Sequence, residues 1–140
     1  MKRLRCLINP VISWILVISW TILTIVLLLK PGNDAMNYAF TFSSFFQFFF
    51  FSQISLKDLS EAMGHVILFG VLTILWQRAL IMSAFSNAFV LTIIIVIILA
   101  ICTEIGQYFV NRSSLFLDLL ANFLGIMLSI LWIKRQTNQQ

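Results

Sequence analysis

The chain has 140 residues, of which 61% are hydrophobic and only 10% charged. A soluble domain carries nearer a quarter charged residues, so the composition points to one integral membrane domain, 1–140, with no room for a separate soluble module. The net charge of +4 does not read as a nucleic-acid surface, because Lys2, Arg3, Arg5, Arg78, Lys134 and Arg135 all flank apolar runs, as topology signals do.

Four apolar segments are long enough for a hydrocarbon core of about 30 Å, which takes roughly 20 helical residues. The first is 11–29. Pro10 suits its first turn, and Lys30-Pro31-Gly32-Asn33 ends it. Its basic start resembles a secretory signal, but the apolar core is longer than usual and no A-x-A site follows, so a retained helix is expected.

The segment after it contains FTFSSFFQFFFF, with eight Phe in twelve residues. Asn37, Thr41, Ser44 and Gln47 recur there at helical spacing. This predicts a helix over about 37–54 lying in the outer interface, either as a lipid-facing cover or as a lid or docking surface for a lipid-linked ligand. Ser55-x-x-Asp58 then has the form of a capping box opening the second helix, whose apolar span is 62–82.

The third span is 89–109, with the core VLTIIIVIILAI, and the fourth is 115–133. Many of these residues are β-branched, but lipid requires every backbone group to be satisfied locally and so enforces helix. The fold expected is an all-α, antiparallel four-helix membrane bundle. Six of the nine basic residues fall on the side of the termini and the Arg78 loop. All five acids fall on the other side, so both termini are expected in the cytoplasm.

Cys6 and Cys102 belong at different depths, which argues against a disulfide, and no Cys/His cluster suggests a metal. No cofactor is expected. Trp14, Trp20, Trp76 and Trp132 read as interface or packing residues.

The polar residues are the informative ones. Asp118, Asn122, Gly125 and Ser129 follow i, i+4, i+7, i+11, which makes one polar or small stripe on the fourth helix. Gly125 and Ser129 are helix-packing candidates. Glu104 and Gln107 mark the matching face of the third helix, and His65 begins a face with Phe69, Leu72 and Trp76 on the second. His65, Glu104, Gln107, Arg112, Asp118 and Asn122 are therefore expected in one layer near the outer surface. Arg112 is the natural counter-ion for Glu104 or Asp118. Intramembrane ionisable groups are functional candidates by default, and the competing reading is a buried network that only fixes helix packing.

His65 with Phe69, Glu104 with Gln107, Arg112, then Asp118 with Asn122 and Gly125 resemble the motifs of the VanZ-like family of small bacterial membrane proteins. The resemblance covers about half the chain, from Glu61 to Ser129. It departs where relatives often carry an acidic–Lys pair before the His: here Glu61 is followed by Ala62, and Lys57 lies further back. The resemblance implies a bacterial plasma membrane and, for the family's named members, low-level resistance to the glycopeptide teicoplanin.

The function expected is thus a VanZ-like protein engaging membrane lipids, with a lipid-linked envelope precursor as the candidate partner, no nucleic acid, and a homo-oligomer left open. An enzyme acting on a lipid or lipid-linked substrate is the alternative, with His65, Glu104 and Asp118 as acid–base groups. The chain shows no nucleophile motif, metal signature or phosphate loop to support it. A purely structural subunit is the third reading.

Overall fold

The computed structural model describes residues 10–29, 56–110 and 116–138. These form four helices: α1 (Pro10–Leu28), α2 (Leu56–Met82), α3 (Ala88–Phe109) and α4 (Phe116–Asn138), with no strand among the described residues. Each helix is long and apolar enough to cross a membrane, so the described residues hold four candidate spans of a multi-pass membrane protein. The expected interfacial helix over 37–54 lies outside the described residues, as do Ser55 and Arg112.

Two helices extend beyond their apolar spans: α2 starts at Leu56, ahead of its span, and α4 runs to Asn138, past its own. In both cases a polar stretch extends an apolar span. Hydropathy measures the part that lies in lipid, whereas Lys134, Arg135 and Gln136 are good helix formers that continue the helix beyond it.

The helices alternate in direction. Trp14 near the start of α1 donates from Nε1 to Ser83 Oγ just past the end of α2 (2.8 Å), and its ring meets Trp76 edge-on at 5.7 Å. Trp20 Nε1 donates to Leu68 O midway along the same pair. At the opposite end, Gln107 near the end of α3 reaches Leu28 O at the end of α1. Lys134 in α4 stands over the Phe89 ring at the start of α3, 5.7 Å from its centroid. One end of the bundle therefore holds Arg78, Lys134 and Arg135, and the other holds His65, Glu104 and Asp118.

α2 is the most buried helix and packs against the other three, most extensively against its parallel neighbour α4. Small residues allow that contact. A Cβ on Gly125 would collide with Val66 O and lie 3.0 Å from Val66 C and 3.1 Å from Gly70 N, all backbone atoms. Ser129 Oγ donates to Gly70 O at 2.8 Å beside it. This is the close approach of small residues by which helices associate in lipid, where no hydrophobic force distinguishes a neighbouring helix from an acyl chain.

Phe69, Leu72, Val96, Ala100, Leu28 and Ile126 form the apolar core. Buried hydroxyls are satisfied within their own helices: Thr24 donates to Trp20 O, Thr73 to Phe69 O, Thr92 to Ala88 O and Thr103 to Ala100 O. The outer faces of α1 and α4 are Ile, Leu, Val, Met and aromatic side chains, as lipid contact requires. The α2–α3 turn puts Ala84 at φ 58°, with Phe85 N–H donating to Leu80 O and Ala84 N–H to Ile81 O. That pair of bonds is a Schellman ending to α2, built without the usual glycine.

Candidate functional site

The polar layer is assembled from three helices. His65 lies about 9 Å along the apolar span of α2 from Leu59, and Glu104 about 7 Å before the end of α3, at 1.5 Å per residue. Asp118 sits in the first turn of α4, with Asn122 one turn deeper. Because α2 and α4 run parallel while α3 runs against them, the starts of two helices and the end of the third meet at one level.

Three side chains form a continuous relay. Asn122 Nδ2 donates to Glu104 Oε1 at 2.9 Å, and Asn122 Oδ1 lies 2.8 Å from His65 Nδ1. His65 Nδ1 is itself 3.8 Å from Glu104 Oε1. On the other edge of the imidazole, Nε2 lies 3.9 Å from Asp118 Oδ2, within ion-pair range but beyond a direct hydrogen bond. The histidine thus stands between a carboxylate of α3 and one of α4. Relative exposure is 1% for the His65 side chain, 0% for Asp118 and 13% for Glu104, so the arrangement is an interior one.

Gln107 departs from the expected layout. It is fully buried, and its amide turns to α1, where Nε2 donates to Leu28 O at 3.3 Å. The last carbonyls of a helix lack intrahelical donors, and Gln107 supplies one of them. Its Oε1 is buried without a hydrogen-bond partner among the described residues. Arg112, expected beside Glu104 or Asp118, lies outside the described residues. Gly125 and Ser129 stand against α2, at the backbone contact described above.

The arrangement can hold and move a proton. An imidazole with one edge fixed by an amide and the other facing a carboxylate is the geometry of an oriented acid–base group. Among the described residues no group of three His, Cys, Asp or Glu side chains is arranged to hold a metal ion.

A second polar grouping escaped the sequence reading. Ser13 and Gln77 are buried toward the basic end, where Trp14 bonds Ser83, and Ser13 Oγ, Trp76 Nε1 and Gln77 Oε1 have no hydrogen-bond partner among the described residues. Single serines and a glutamine in apolar runs carry no spacing signal that would have drawn them out. No protein family model matches this chain, and neither does any curated protein or solved structure.

Proposed function

We propose that this is a VanZ-like protein of the bacterial plasma membrane, acting at the outer face on a cell-envelope ligand and on susceptibility to glycopeptide antibiotics of the teicoplanin type. The observation that carries the reading is the His65–Asn122–Glu104 relay with Asp118, a buried polar layer at the end of a membrane bundle opposite Arg78, Lys134 and Arg135. With the basic end in the cytoplasm, as the positive-inside rule requires, that layer faces outward and both termini lie inside.

The test is teicoplanin susceptibility of a bacterial host with and without the protein at matched expression. A change is expected with the intact chain. Glu104→Gln and Asp118→Asn are expected to abolish it while remaining folded and normally abundant. An unchanged susceptibility removes the resistance claim, and a loss of effect that tracks loss of folded protein assigns the layer a structural role instead.

One observation favours a second reading, an enzyme acting on a lipid-linked substrate: His65 is oriented by Asn122 with its other nitrogen toward Asp118, as an acid–base catalyst would be. Envelope lipids left unaltered by purified protein, as judged by mass spectrometry, exclude that reading.

A further inference from the structure

Hydrogen-bond capacity in the layer runs in one direction. Glu104, as a carboxylate, can only accept, so the neighbouring Asn122 amide must present its NH2 group to it, as the 2.9 Å contact from Nδ2 shows. The same amide then presents its oxygen to His65 Nδ1 at 2.8 Å. An amide oxygen can only accept, so Nδ1 must carry a hydrogen. In a neutral imidazole the other nitrogen, Nε2, is then the one with the lone pair, and it faces Asp118 Oδ2 at 3.9 Å. No side chain of α1 competes for this role, since Pro10–Leu28 contains no ionisable residue.

We propose that Glu104, acting through Asn122, fixes His65 as its Nδ1–H tautomer and so makes Nε2, on the side of Asp118, the proton-exchanging atom of the layer. Glu104 and Asn122 are positioning residues, and His65 Nε2 with Asp118 is the end that meets a ligand. The ligand chemistry that suits this end is a group with an exchangeable proton, a hydroxyl or an ammonium. Its O–H or N–H bond breaks as an Nε2–H bond forms. The resulting imidazolium keeps Nδ1–H on Asn122 and directs the new Nε2–H to the Asp118 carboxylate, and the ligand retains the electron pair. The ligand class rests on the reading of this layer as a binding site, whereas the tautomer does not.

His65 is the only histidine in the chain, so the full-length protein labelled with 15N-histidine in lipid bilayers gives one pair of ring nitrogen signals. At about pH 8, where an ordinary imidazole is neutral, Nδ1 is expected to be protonated and Nε2 bare, by about tenfold over the other tautomer, the equivalent of one hydrogen bond. In Glu104→Gln the new side chain has its own NH2 group, which frees the Asn122 amide to turn its donor toward Nδ1. The Nδ1–H excess is then expected to fall by about tenfold. A purely structural glutamate would leave that ratio unmoved. A dominant Nε2–H tautomer, or an imidazolium protonated on both nitrogens, in the wild type overturns the proposal, and so does an unchanged ratio in folded Glu104→Gln. Where the variant does not fold, the wild-type signal decides alone. Because the readout is spectroscopic, it stands or falls separately from the antibiotic test.

Discussion

Gly125→Ala is the sharpest probe of how this bundle is held together. The added Cβ would collide with Val66 O and sit 3.0 Å from Val66 C and 3.1 Å from Gly70 N. None of these atoms can swing aside, because all belong to the α2 backbone, so α2 and α4 must separate by on the order of 1 Å to restore ordinary carbon contact distances. That separation carries two neighbouring bonds out of range. Ser129 to Gly70 O and His65 to Asn122 are both 2.8 Å, and an added ångström takes each beyond the 3.2 Å limit of a good hydrogen bond. Overpacking alone costs about 1–3 kcal/mol, and the two bonds roughly 1 kcal/mol each. Alanine's better helix propensity returns up to about 1 kcal/mol. The expected net loss is about 2–4 kcal/mol, read from unfolding of the purified protein in micelles by circular dichroism. Gly64→Ala is the matched control, because nothing lies within 4 Å of its added Cβ. It should be neutral or stabilising by up to about 1 kcal/mol. The reasoning fails if Gly125→Ala unfolds within about 0.5 kcal/mol of the wild type, the range of an ordinary surface substitution.

Ser129→Ala removes the bond to Gly70 O without adding bulk, and should cost about 0.6–1.7 kcal/mol, as interhelical hydrogen bonds in membranes do, in the same unfolding measurement. Ala84→Gly relieves a left-handed residue at the end of α2 and should stabilise by about 1 kcal/mol; a destabilised variant would contradict the φ of 58°. Trp14→Phe keeps the ring contact with Trp76 but loses the donor to Ser83, for a cost of about 1 kcal/mol, and double-mutant analysis with Ser83→Ala should show the two effects to be non-additive.

The spans could be read from the chain because lipid leaves the backbone few choices: four apolar runs of sufficient length became α1 to α4. Likewise, the spacing of Asp118, Asn122, Gly125 and Ser129 can serve only one face of a helix, and all four are buried. Which backbone Gly125 and Ser129 would pack against was not legible: periodicity on α4 says nothing of it, and the contact is with α2 through Val66 and Gly70. Gly70 alone, in an apolar run, gives no sign of its role. Gln107 shows the same limit in polar form. Its position one turn past Glu104 suggested membership of the same layer, but a side-chain amide with two ends can be claimed by a neighbouring helix, and here Leu28 O claims one.

The small-residue contact and the polar layer are coupled parts of one device. Asn122 and Gly125 are three residues apart on α4, about one turn, so the distance at which the α2 and α4 backbones meet also sets the distance between Asn122 and His65. A larger residue at position 125 would move the amide away from the imidazole even with every polar side chain intact. The coupling yields a test that deletion of polar groups cannot give. In Gly125→Ala the tautomer ratio of His65 should fall along with stability, because the Asn122 contact is stretched. In Ser129→Ala, which loses a bond without forcing the helices apart, the ratio should hold while stability drops. If both variants moved the ratio equally, the relay would be responding to general loosening of the bundle, and the geometric link through Gly125 would be wrong.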